Sequence, residues 1–280
     1  MKTFFTLLII FSIILSSVFF IVKRDYFKKQ TSTWLAHVKS KTIQNKTGQI
    51  TAKDKSGNSL LLEWTITDVR SPNFSTLMKE TCDVFVKAFT PVELQFLKES
   101  KDKETHDQYI KQFEPIFQDE VMIYDWNLFK HSLKNLDWKT VEEKIPSVLS
   151  KLQLMDYSNF GVEDINCFIL AKNIDSKKIL GYSIFCITPD FPYGDIKLTV
   201  IALLPTEQNR GIGRLFINSI SKIIPDLKRI FLSVRPTNNN AINAYNKWGF
   251  TTDHNPIPEH YMPIDKKQWV YLECKINKGS

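Results

Sequence analysis

The sequence predicts an α/β fold in which a central sheet is flanked by helices and preceded by one N-terminal transmembrane helix. Three observations carry that expectation. An apolar strand pattern at 199–204 breaks at Pro205 and runs into a glycine-bearing turn and an amphipathic helix. From residue 166 onward, strand-like runs and helical periodicity alternate to the end of the chain. At the start, residues 4–22 are nineteen consecutive positions without a charge.

That apolar run has Lys2 before it and Lys23, Arg24, Lys28 and Lys29 after it. Its length suits a bilayer-spanning helix and exceeds the apolar core of an ordinary signal peptide, and no Ala-x-Ala-like cleavage site follows. Residues 1–29 therefore read as an uncleaved anchor with a basic flank, with a cleaved signal peptide as the open alternative. The excess of basic residues after the span places the body on the cytoplasmic side of a single-pass membrane protein. The formal net charge is +7, but residues 1–30 hold five basic residues and one acid, which leaves only +3 for the body. This excludes nucleic acid as an expected partner, because such partners call for a clustered basic face. The flanking cluster fits anionic lipid headgroups instead. Neither the four cysteines (Cys82, Cys167, Cys186, Cys274) nor the five histidines show metal-ligand spacing, so no metal is expected.

Residues 30–54 are rich in Lys, Thr, Ser, Gln and Asn and read as a polar tether with a short helix at 33–39. A first strand follows at 59–67. Leu77, Val84, Phe85 and Phe89 give 75–89 a helical period, and 90–152 reads as a long helical region with Pro91, Pro115 and Pro146 as breaks or first turns. The runs 167–171 and 179–187 flank a turn at 173–178 and make a hairpin. After the strand at 196–204 comes a helix at 210–224, with Ile212, Leu215, Phe216, Ile220 and Ile223 on one face and Pro225 as its stop. A buried strand at 229–234 leads to a helix at 239–248 that presents Ala241, Ala244, Tyr245 and Trp248 on one side. Gly249 stands at its C′ position. The run 269–275 alternates enough to close the sheet.

The turn between strand and helix contains Gln208, Gly211 and Gly213. Glycines let the backbone approach a ligand closely, and the unpaired N–H groups of the turn and the first helical turn converge on one point, which makes a site for a phosphate. A third glycine for a dinucleotide fingerprint is missing, as is the Gly-Lys-Ser/Thr of a nucleotide P-loop. Downstream, Asn238, Ala241, Tyr245, Gly249 and Phe250 form a second pattern, Asn-x-x-Ala-x-x-x-Tyr followed by Gly-Phe.

Together the two patterns resemble the GNAT superfamily of acyl-CoA-dependent N-acetyltransferases, whose first signature reads Gln/Arg-x-x-Gly-x-Gly/Ala and whose second matches the run just given. The close match covers about a fifth of the chain. The resemblance implies a GNAT-like mixed central sheet with flanking helices over 55–280, with 90–152 as a helical insertion that shapes the acceptor pocket. It implies acetyl-CoA as acyl donor and an amine, protein or small molecule, as acceptor, attacking directly in a ternary complex. The CoA diphosphate then lies on the backbone of Asn209, Arg210, Gly211, Ile212, Gly213 and Arg214 beside Gln208, with charge from the two arginines. Backbone groups of Ala202, Leu203 and Leu204 pair with the pantetheine arm. Asn238 reads either as a helix N-cap or as a pantetheine contact. Tyr245 reads either as core or as the acid that protonates the departing thiolate. The general base is not identified: Asp195, Glu259, His260 and a water relay are all open. The competing class of function is a non-catalytic acyl-CoA-binding or scaffold module on the same fold.

Overall fold

The computed structural model describes residues 46–68, 71–100, 102–117, 123–154, 165–187, 191–224, 226–252 and 269–276. The expected anchor at 4–22, the helix at 33–39, Pro225, Glu259 and His260 lie outside these residues. Among the described residues, no helix is long and apolar enough to cross a membrane.

Seven strands form one sheet in sequence order: β1 (Thr47–Lys53), β2 (Ser59–Asp68), β3 (Ile165–Asn173), β4 (Ile179–Ile187), β5 (Asp195–Leu203), β6 (Arg229–Val234) and β7 (Val270–Lys275). Every neighbouring pair is antiparallel except β5 and β6. The helices are α1 (Pro72–Glu99), α2 (Lys103–Phe113), α3 (Ile123–Lys134), α4 (Trp138–Leu154), α5 (Ile212–Ile223) and α6 (Asn239–Lys247). The expected mixed sheet with flanking helices is thus present.

Each face of the sheet has its own core. Leu62, Phe185, Leu198 and Leu232 pack with Ile212, Phe216 and Ile220 of α5 and with Tyr245 of α6. On the other face, Phe168, Leu170, Tyr182, Ile184 and Ala202 pack with Phe74, Met78 and Val84 of α1. A third core lies away from the sheet: Phe96 and Leu97 of α1 meet Tyr109 and Ile110 of α2, Phe129 and Leu133 of α3, and Val141, Ile145 and Leu149 of α4. The long segment between β2 and β3 therefore builds a helical lobe with its own apolar interior.

Two expectations about this region are corrected. Residues 47–53, placed in the polar tether, form the edge strand β1, paired with β2 along its whole length. Its burial alternates between exposed and half-buried positions, so its polar composition is that of a wet edge strand and hides the strand from a hydrophobicity reading. Pro91 and Pro146 do not break helices but lie inside α1 and α4. A proline leaves the carbonyl four residues back without its donor; here those carbonyls belong to residues on the exposed side of each helix, Lys87 and Glu142. Helix α1 starts at an N-cap, Ser71, whose hydroxyl accepts from the amide of Asn73, with Pro72 at the first helical position.

Candidate functional site

The parallel ladder between β5 and β6 is short. Asp195, Ile196 and Lys197 pair with Arg229, Ile230 and Phe231, and then the strands part. Beyond Lys197, no strand among the described residues lies beside that edge of β5, so its outward amides and carbonyls face an opening. Against β4, the register shifts between Ile184 and Phe185 because Leu198 and Val200 take consecutive partners, leaving Thr199 as the extra residue of a bulge.

Alternation decides which β5 groups reach the opening. The amide of Leu204 donates to the carbonyl of Leu180 at 2.9 Å, and its own carbonyl accepts from Glu207 at 2.8 Å. Leu204 is therefore engaged inside the protein, which corrects its expected pairing with a cofactor. In an antiparallel ladder, successive residues point their backbone groups to opposite sides, so Ala202 also faces β4 while Leu203 and Ile201 face the opening.

At the end of β5, a short 3-10 turn (Pro205–Glu207) leads to Gln208, Asn209 and Arg210 and into α5. Asn209 (φ 64°) and Gly211 (φ 83°) are left-handed, a conformation that Asn tolerates and Gly adopts freely. Gly211 is the N-cap of α5 and offers no side-chain acceptor to the first helical turn. Among the described residues, no acceptor is hydrogen-bonded to the amides of 208–214. These donors sit at the positive end of the α5 dipole, which is an anion-binding arrangement.

The two arginines differ. The Arg210 guanidinium is held by Asp54, with Nε at 2.8 Å and Nη2 at 2.5 Å from Oδ2, and it also pairs with Glu207. Its role is to brace the turn, and its charge is largely spent on those carboxylates. Arg214 is exposed on the first turn of α5. A second cation comes from a place the sequence did not suggest: the Lys55 amide donates to the Arg210 carbonyl at 2.9 Å, and the Lys55 side chain lies over Gly211. Burial raises the Asp54 carboxyl, but hydrogen bonds from Asn58 and Arg210 and the amide of Ser56 win and hold it at about 2. Gly213 has a packing reason: a Cβ there would stand 2.5 Å from the Trp248 ring.

Helix α6 opens with Asn238, whose side chain accepts from the Ala241 amide at 3.1 Å, so the N-cap reading holds. Gly249, at φ 93°, takes the C′ position. Asn238, Ala241 and Tyr245 line one cleft of about 550 Å³ together with Leu198–Ile201 of β5 and Leu232–Val234 of β6. Tyr245 is 6% exposed, packs edge-on against Trp248 at 5.5 Å, and burial pushes its phenol well above the ordinary value. The structure thus brings Tyr245 and Asn238 beside the opened strands, while Gln208–Arg214 lie past the lining at the end of β5.

The far wall belongs to the helical lobe. Phe74, Met78, Phe85, Phe89 and Val92 of α1 and Leu149 and Leu152 of α4 face the cleft, with Glu93 set among them. Glu93 and Arg235 form a buried pair, with Nε to Oε1 at 3.2 Å and Nη2 to Oε2 at 3.0 Å. The Arg235 guanidinium lies 4.1 Å from the rings of both Phe96 and Trp269. On the floor, Asn166 is 5% exposed and its Nδ2 has no acceptor among the described residues. Glu93 was visible in the sequence as an acid on the apolar stripe Phe89, Phe96, Leu97, and Asn166 as a polar residue opening an otherwise apolar strand. Neither signal says what the residue faces.

Asp195, one of the open choices for a base, is removed from that role. Its carboxylate accepts from Arg229 Nε at 2.9 Å, and Arg229 also reaches Glu273 at 2.8 Å. The trio ties β5, β6 and β7 together below the point where the strands part. Among the described residues, no group of His, Cys, Asp and Glu is placed to hold a metal ion, and all four cysteines are free thiols.

No curated protein matches the chain. Among solved structures, it is similar to the PaiA N-acetyltransferase of Thermoplasma acidophilum in complex with coenzyme A, at 16% identity over 75% of this chain and 99% of that one, TM-score 0.37. A GNAT family acetyltransferase of Elizabethkingia anophelis with acetyl-CoA bound is 21% identical over 40% of this chain and 76% of that one, TM-score 0.29. Nourseothricin acetyltransferase is 18% identical over 39% of this chain, which spans 65% of that protein, TM-score 0.31. Residues 130–250 match the model of the Acetyltransferase (GNAT) family. They run from α3 through the opened strands, the amide-rich turn and Tyr245 to Phe250, and over this stretch the chain matches the acetyltransferase (GNAT) family.

Proposed function

We propose that this domain transfers the acetyl group of acetyl-CoA to an amine by direct attack within a ternary complex. The observation that carries this reading is the set of amides at 208–214 with no acceptor among the described residues, placed at the end of a strand whose open edge leads into the cleft lined by Tyr245. The diphosphate of CoA fits those amides, with Lys55 and Arg214 as neighbouring cations. The pantetheine arm runs along the open edge of β5, using the outward backbone groups of Leu203 and Ile201. This order leaves the thioester near Tyr245.

Holding both reactants in one cleft converts a bimolecular step into an effectively unimolecular one. The amine attacks the thioester carbonyl and the C–S bond breaks. Tyr245 donates its proton to the departing thiolate. A raised phenol is a weak acid in water, but the thiolate is desolvated in the same cleft and its proton affinity rises too. The apolar run at 4–22 adds a second part to the reading: it holds the domain at the cytoplasmic face of a membrane, near acceptors at that surface.

Calorimetric titration of residues 30–280 with acetyl-CoA tests the cofactor site, with Gly211→Glu as its variant. The substitution puts a carboxylate where the diphosphate lies, on a backbone that only glycine adopts easily. Saturable binding by the parent and none by the folded variant is the expected result. Equal binding by both sinks the reading.

A further inference from the structure

Resting on the acetyltransferase reading above, we infer that the helical lobe builds the acceptor subsite, which takes an amine with an apolar body, and that Glu93 is the group that receives the amine's proton. Three observations meet here. Among the described residues that line the cleft, Glu93 is the sole acid and none is a histidine. The same lining includes Phe85, Phe89, Val92, Leu149 and Leu152, which present hydrocarbon to whatever enters. The Nδ2 of Asn166, a residue of the same lining, is a buried donor with no acceptor among the described residues.

An ionised carboxylate has about four lone-pair directions. Arg235 uses one on each oxygen and the Tyr109 hydroxyl donates to a third, which leaves Glu93, a residue of the cleft lining, one direction for an entering amine. The same Arg235 fixes where the carboxylate sits, and the rings of Phe96 and Trp269, each 4.1 Å away, hold Arg235. Glu93 is thus a positioned base on a rigid mount. Because its charge is matched by Arg235, and Lys197 is a further cation, the described lining has no surplus negative charge to hold a polycation. Apolar walls also desolvate the entering amine and favour its neutral, nucleophilic form. Polyamines and lysine-bearing peptides fit this wall poorly; an arylalkyl or alkyl amine fits it well. An acceptor atom on such a molecule, a hydroxyl or carbonyl oxygen, pairs with Asn166.

The step balances. The neutral amine nitrogen bonds to the thioester carbon, the carbon–sulfur pair departs with sulfur, and one N–H proton passes to Glu93. Tyr245 gives its proton to sulfur; Glu93 then releases its own to solvent and Tyr245 regains one. The products are an acetamide and CoA thiol.

The test measures thiol release from acetyl-CoA with 2-phenylethylamine, tyramine, spermidine and N-acetyl-lysine amide, beside calorimetric acetyl-CoA binding. Variants are Glu93→Gln, Glu93→Asp and Glu93→Ala, each checked by thermal melting. The expected result is acetyl-CoA binding by all four proteins and fastest turnover with 2-phenylethylamine or tyramine. Glu93→Gln then loses ~100-fold or more in kcat with little change in KM. Glu93→Asp recovers part of it, and sodium formate restores turnover to Glu93→Ala, which a purely structural role does not allow. Preference for spermidine, full activity in Glu93→Gln, or no rescue by formate or by Asp overturns the inference while acetyl-CoA binding keeps the parent reading alive. Absent acetyl-CoA binding by the wild type overturns both.

Discussion

Asp54 and Arg210 are 156 positions apart in sequence, yet the carboxylate of one holds the guanidinium of the other at 2.8 Å and 2.5 Å. The pair ties the turn between β1 and β2 to the amide-rich turn before α5. The Lys55 amide adds a second tie to the Arg210 carbonyl. An anion site made of backbone amides works only if those amides keep their directions, and this brace is what fixes them.

Asp54→Ala is therefore expected to weaken acetyl-CoA binding by about tenfold through loss of preorganisation, with the sheet intact. The acid dependence follows from the sign of the shift. The Asp54 carboxyl is lowered from 3.8 to about 2, so its contribution is complete above the unfolded value and lost as pH falls through the folded one. The difference in melting temperature between wild type and Asp54→Ala should stay constant from neutral pH down to about pH 5 and shrink below about pH 4. A difference that shrinks between pH 8 and 6 contradicts this.

Gly213 and Gly211 separate two roles that the sequence pattern merges. A methyl at Gly213 meets the Trp248 ring, so Gly213→Ala should cost about 1–3 kcal/mol of stability by overpacking between α5 and α6. A methyl at Gly211 is strained chiefly by its left-handed backbone and meets the flexible Lys55 side chain, so the cost should be nearer 1 kcal/mol. Urea unfolding of the two variants orders them. The larger loss in Gly211→Ala would reverse the assignment.

Lys55 offers a test of the cation reading. With Arg210 consumed by Asp54 and Glu207, Lys55→Glu should weaken acetyl-CoA binding more than Lys53→Glu, two residues earlier at the end of β1. The difference should diminish as salt is raised from about 0.05 M to 0.5 M, because the charge is exposed and screened. Equal effects of the two substitutions at low salt would remove Lys55 from the site.

The sequence revealed the parts of this molecule governed by local chemistry. Strand β4, the periodic face of α5, the Asn238 cap and the Gly249 terminus follow from short-range rules, and each stands where it was expected. What the sequence did not reveal depends on partners far along the chain. Residues 47–53 look like a tether until β2 pairs with them. Arg210 looks like a phosphate contact until Asp54 claims it, and Leu204 like a free amide until Leu180 accepts from it. Pro91 and Pro146 look like breaks until α1 and α4 pack against each other and α1 packs against the sheet. The helical lobe is the extreme case: its periodicity predicts helices, but only their packing turns Glu93 toward the cleft.

Tyr245→Phe separates the phenol from the ring. The ring packs against Trp248 and Phe250, each at 5.5 Å, and Phe retains both contacts, so stability should hold. The lost hydroxyl should lower kcat by about 10²-fold or more while acetyl-CoA affinity is unchanged. Burial keeps the phenol protonated through the neutral range, so Tyr245 should contribute no basic limb to the rate profile below about pH 10. Asp195→Asn is the matching control. Asp195 sits in a buried cluster with Arg229 and Glu273, so removing its charge should lower the urea midpoint by an amount equivalent to about 3 kcal/mol and leave kcat per folded molecule unchanged. Stopped-flow thiol release for both variants decides the roles: a rate loss in Asp195→Asn with intact Tyr245→Phe activity would exchange the catalytic and structural assignments.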